Sequence, residues 1–85
     1  MVQAISTVDH LGVGKAGDPE APNGGIFNGA DDNASGTAAV LEIAAALASE
    51  KNLKRGVIAA FWSGEEMGLI GSGRYAANPS IPLEQ

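Results

Sequence analysis

Gly56-Val57-Ile58-Ala59-Ala60-Phe61-Trp62 is an unbroken apolar run, and it limits the folds open to this chain more than any other stretch. A strand with one wet face alternates apolar and polar residues; a run without alternation is typical of a parallel strand buried on both faces. Parallel pairing needs a second strand and a crossover between the two. Val2 to Val8 is short and partly β-branched, which predicts that second strand, ended by Asp9-His10. A helix is expected from about Ala34 to Glu50, where Val40, Ile43, Ala44 and Leu47 make an i, i+3, i+4, i+7 stripe. Ala38, Ala39, Leu41, Ala45, Ala46 and Ala48 carry apolar groups around most of its circumference, so it calls for cover on more than one side. Lys51, Lys54 and Arg55 complement its dipole. A second helix is expected from Met67 to Ala77, ended by Pro79 and Pro82. Strand, helix, strand implies a right-handed crossover. The expected class is α/β: a fragment of a three-layer sandwich, with strand-helix-strand-helix order and parallel central strands.

Composition narrows the function classes. At 85 residues the chain holds at most one small domain. A net charge of −5 with no basic cluster argues against nucleic-acid or anionic-membrane partners. Without Cys there is neither a disulfide framework nor a thiolate zinc site. No apolar run approaches the ~18 residues of a membrane span. The opening Met-Val-Gln-Ala-Ile-Ser has no basic segment followed by an apolar core, so no signal peptide is expected.

Leu11 to Ala30 contains six glycines and two prolines and reads as a long loop, a kind that is usually functional inside a small domain. Gly12-Val13-Gly14-Lys15-Ala16-Gly17 matches G-x-G-x-x-G directly after a predicted strand. A dinucleotide fingerprint must open a helix, and Asp18-Pro19-Glu20-Ala21-Pro22 forbids one of useful length. The Walker form fails as well, with Asp9 in place of its first Gly and Ala16 in place of Ser or Thr.

Two carboxylate pairs carry the stronger chemistry. Asp31-Asp32 lie within Asn28-Gly29-Ala30-Asp31-Asp32-Asn33-Ala34-Ser35-Gly36, and Glu65-Glu66 follow the apolar strand. Each pair has an ordinary structural use, since Asp caps a helix and Glu favours its N-terminal dipole. Sites in open α/β sheets form beyond the carboxyl ends of the strands, and there the two pairs can meet. Close carboxylates repel unless a cation neutralises them; oxygen-rich sites suit zinc, manganese or magnesium. One carboxylate of an adjacent pair can bind metal while its neighbour acts as a base.

NGADDNASGTAAVLE (Asn28 to Glu42) and FWSGEEMGLIGSGRYAANPSIPLE (Phe61 to Glu84) together resemble metallopeptidase family 28, the co-catalytic zinc aminopeptidases related to glutamate carboxypeptidase. The resemblance implies two zinc ions in a complete site and a peptide substrate. It gives Asp31 the role of bridging ligand and Asp32 that of the partner that fixes the bridge. Glu65 corresponds to the general base that takes a proton from the attacking water and passes it to the leaving amine. Glu66 corresponds to a ligand of one zinc.

Three departures accompany the likeness. The family pattern A-H-x-D-H-L-G reads Ser6-Thr7-Val8-Asp9-His10-Leu11-Gly12 here, so Thr7 stands at the ligand-His position. Asp9 then matches the carboxylate that orients that imidazole, and strand alternation turns His10 away from Thr7 and Asp9 unless the loop rotates it. A further Asp and a final His of the family have no match before Gln85. The expectation is a partial zinc-peptidase domain over residues 1–85, incomplete at both metal site and sheet. On this reading zinc binding is weak or absent and hydrolysis near background in this chain alone. The alternative is a non-catalytic relative that has lost its metals and serves as a binding or structural module. An unpaired apolar strand also predicts self-association through the sheet edge. The metal motifs are common to aminopeptidase, carboxypeptidase and dipeptidase members, and relatives are often exported.

Overall fold

A computed structural model describes residues 2–15, 17, 19 and 25–82. Strand β1 (Val2–Thr7), helix α1 (Ser35–Ala48), strand β2 (Val57–Trp62) and helix α2 (Ile70–Ala77) follow in that order. The strands pair in parallel, from Val2 beside Val57 to Thr7 beside Trp62, and Val8 extends the ladder by donating its N–H to the Trp62 carbonyl at 3.0 Å. The apolar run therefore forms the parallel strand that its lack of alternation predicts.

Helix α1 packs across both strands. Ser6, 4% exposed, turns toward it and its hydroxyl lies 3.2 Å from that of Thr37. The Thr37 hydroxyl in turn donates to the Thr7 carbonyl at 2.8 Å. Of the predicted stripe, Val40 is buried at 6% and Ala44 and Leu47 are half-buried, whereas Ile43 is 48% exposed. Two strands are too narrow to cover the whole stripe. On the sheet face away from Ser6, Ile5 is 49% exposed, and Trp62 stacks on Tyr75 of α2 with ring centroids 4.8 Å apart.

Val40 is the one buried apolar side chain among the described residues larger than a glycine's. The radius of gyration is 16.0 Å and the principal extents are 52 × 29 × 12 Å; a compact domain of this length has a radius of gyration of about 12 Å. No helix among the described residues is long and apolar enough to cross a membrane.

Helix α2 begins three residues later than its apolar pattern predicts. Gly68 (φ 100°) and Leu69 (φ 57°) both lie in the left-handed region, which α-helical hydrogen bonding does not accommodate. The Leu11–Ala30 loop is pinched by a bridge between Val13 and Ile26, with Gly14 donating to the Gly25 carbonyl and Phe27 to that of Gly12. Gly12 to Lys15 thus enter an antiparallel bridge and open no helix. Asp18, Glu20, Ala21 and Pro22, which carry the helix-breaking argument for this loop, lie outside the described residues.

Candidate metal centre at the carboxyl edge of the sheet

Three segments meet where the strands end. The first is Asp9-His10, just past β1. Both oxygens of Asp9 accept the Gly64 N–H, at 3.0 and 3.1 Å. The ladder alone would leave that donor unpaired at the end of β2, so Asp9 fixes the position from which Glu65 and Glu66 depart. The family resemblance implies an imidazole two residues before this Asp; Thr7 stands there in this chain, and the Asp9 carboxylate is engaged by the backbone.

The second segment is the turn Ser63–Leu69. The Glu65 carbonyl accepts from the N–H groups of Gly68 and Leu69, and Gly64 and Ser63 carbonyls accept from Ile70 and Gly71. This folds the turn back onto the start of α2, with Glu65 half-buried and Glu66 on the exposed side.

The third is the kinked turn Ala30–Ala34 that enters α1, with Asp32 and Asn33 outside helical geometry. Asn33 supplies the cap, its side-chain oxygen accepting the Gly36 N–H at 2.9 Å. Asp31 is tied to Ser35, whose hydroxyl lies 3.2 Å from the Asp31 carbonyl and 3.4 Å from its carboxylate. The capping role that Asp31-Asp32 could have filled falls to Asn33, and Asp32 is left to face the other two segments.

Gly29 makes that approach possible. It adopts φ 63°, and a Cβ there would stand 2.9 Å from the Asp32 carbonyl oxygen and 3.0 Å from the His10 Cβ. A side chain at this position would be strained by its own backbone and would separate the two segments.

The result is a cluster of His10, Asp32 and Glu66, which bring one ligand-capable atom each to within 4.8 Å of one another. His10 Nδ1 and Glu66 Oε1 are 2.6 Å apart. The His10 ring meets Phe27 edge-on, with centroids 5.6 Å apart and planes at 83°. A cavity of about 250 Å³ opens beside it, lined by Asp9, His10, Leu11, Gly64, Glu66 and Met67. One nitrogen and two carboxylate oxygens form a donor set that suits zinc. Donors around one such ion stand about 3 to 4 Å apart, a spacing the cluster brackets.

Of the four residues singled out by sequence, Asp32 and Glu66 are brought together with His10. The Asp31 carboxylate lies 3.4 Å from the Ser35 hydroxyl, and Glu65 stands next to the cluster in sequence. The approach of His10 had one legible signal: strand alternation holds only to Thr7, where β1 ends, so it does not govern a residue three positions later.

The comparisons agree with this architecture. The peptidase family M28 profile matches residues 4–85, and the chain belongs to that family. A curated relative described as "Probable lipoprotein aminopeptidase LpqL", from Mycobacterium tuberculosis (strain ATCC 25618 / H37Rv), is 44% identical over 63 residues. That match covers 74% of this chain and 11% of the relative, so the chain spans about a tenth of that protein's length. No solved structure matches at a significant level.

Proposed function

We propose that the chain carries the carboxylate half of a zinc-dependent aminopeptidase site, which hydrolyses the first peptide bond of a peptide. The observation that carries this reading is the convergence of Asp32 and Glu66 with His10 at the carboxyl edge of a parallel sheet, in a chain of a peptidase family. Asp32 and Glu66 would hold the metal, with Asp31, to which the resemblance gives the bridging role, beside them on the turn that Ser35 braces. Zinc, when bound, supplies Lewis-acid polarisation of the scissile carbonyl and makes water more acidic. Glu65 accepts the proton from the attacking water and delivers it to the leaving amine. Its carbonyl is held by two N–H groups, which fixes the backbone from which that carboxylate projects. The half-exposed apolar residues of the sheet and α1 call for further polypeptide, or a second copy, to finish the domain.

The test is steady-state hydrolysis of amino-acid anilides by the protein in its natural reading frame, with zinc content measured alongside. Glu65→Gln is expected to lower turnover by about 10²- to 10⁴-fold with zinc retained. No zinc bound and no turnover in the wild type would favour the non-catalytic relative that has lost its metals, a reading that the Thr7 position supports.

A further inference from the structure

Building on the metal-dependent reading above, we infer that His10 is a direct ligand at this centre and sets its preference for zinc over magnesium. Within these 85 residues His10 is the one imidazole, and there is no Cys. Two contacts hold the ring in place, and a glycine makes room for it. Phe27 packs edge-on against it, Gly29 leaves room at its Cβ, and Glu66 meets Nδ1 at 2.6 Å.

That separation is a hydrogen bond; two ligands of one ion stand farther apart. Metal entry therefore exchanges the His10–Glu66 hydrogen bond for two coordination bonds and needs only a small outward shift of exposed side-chain atoms. The adjoining cavity gives an ion a path to the donors. Two carboxylates alone make a hard, all-oxygen site that accepts magnesium or manganese. An imidazole moves such a site toward zinc and its borderline neighbours. On this account the nitrogen that Thr7 cannot give is supplied from three residues further along, because β1 has already ended.

The experiment follows the protein in its natural reading frame, labelled with nitrogen-15 at histidine and with the His10 ring assigned from its own backbone, through titrations with zinc and with magnesium. The imidazole nitrogens report ligation directly, and calorimetry gives the affinities. The expected result is a large shift of one His10 ring nitrogen on adding zinc and a small one on adding magnesium. His10→Ala is then expected to lose at least about tenfold in zinc affinity, the scale on which metal sites respond to a lost partner, with magnesium affinity changed less than about twofold. The ring measurement uses the wild type, so it decides the matter even if His10→Ala misfolds. Zinc binding that leaves both ring nitrogens unmoved overturns the assignment of His10 and leaves the peptidase reading standing. So does zinc binding by Thr7→His but not by the wild type. Failure of both the wild type and Thr7→His to bind zinc overturns the metal-dependent reading together with this one.

Discussion

The carboxyl edge of the sheet and its flanks are built on opposite principles. At the edge, polar side chains tie backbone to backbone across long stretches of sequence: Asp9 to Gly64, Thr37 to Thr7, His10 to Glu66. Along the flanks, Ile5, Leu41 and Ile43 are all about half exposed, and among the described residues Val40 alone of the large apolar side chains is buried. The geometry of the site is thus specified by directional bonds that need little burial. Its stability depends on apolar cover that two strands and two helices supply only in part.

The largest effect is expected from Gly29→Ala, which attacks the edge. The substitution forces an L-residue to φ 63° and places a Cβ 2.9 Å from the Asp32 carbonyl. The left-handed backbone and the overlap together cost about 3 kcal/mol. Denaturant unfolding gives the loss, and zinc titration is expected to show weakened binding even below the unfolding midpoint, because His10 and Asp32 are pushed apart. Full zinc affinity in a folded Gly29→Ala protein would show that the edge tolerates separation.

Val40→Ala tests the flank. It removes the principal apolar anchor of α1 and is expected to cost about 2 kcal/mol, read from the same unfolding curves. In the folded fraction zinc affinity should be unchanged, since no bond of the edge is touched. If zinc binding fell in proportion to stability, edge and flank would be one cooperative unit, and the contrast between them would fail.

That contrast also explains what the sequence disclosed. The apolar run of β2, the stripe on α1 and the meeting of carboxylates past the strand ends follow from periodicity and from the βαβ handedness rule. The delayed start of α2 was hidden because Leu69 is a good helix former, and no pattern announces its φ of 57°. The exchange of roles in the Asp31-Asp32-Asn33 turn was hidden for a different reason. Asp and Asn cap helices equally well, and only the kink at Asp32 and Asn33 decides which one caps and which one faces the site. The family resemblance identified the segments that meet, while their side-chain directions depend on a few backbone angles that composition does not encode.

Asp9→Ala probes the link between the two regions, the clamp on the turn after β2. Losing an exposed carboxylate that accepts a single N–H is expected to cost about 1 kcal/mol, less than Val40→Ala. Zinc affinity should nevertheless fall several-fold, because Glu66 is positioned through Gly64. Asp9→Asn keeps one side-chain acceptor and should fall between the wild type and Asp9→Ala in both measurements. Equal losses in the two variants would mean that the charge of Asp9, and not its hydrogen bond, matters to the site.

The smallest effect sharpens the comparison at the turn itself. Leu69 sits at φ 57° and is 56% exposed, so it bears the left-handed penalty without the return of burial. Its N–H donates to the Glu65 carbonyl at 2.9 Å, a bond any residue makes. Leu69→Gly relieves about 1 to 2 kcal/mol of backbone cost and adds about 0.5 to 1 kcal/mol of chain entropy to be lost on folding. A net stabilisation of about 0.5 kcal/mol is expected from denaturant unfolding. Unchanged zinc affinity alongside it would assign the strain to the flank, as a residue kept for apolar contact with polypeptide outside the described segments. A loss of affinity would instead place Leu69 at the edge, as the stiff element that keeps the Glu65-Glu66 turn from opening.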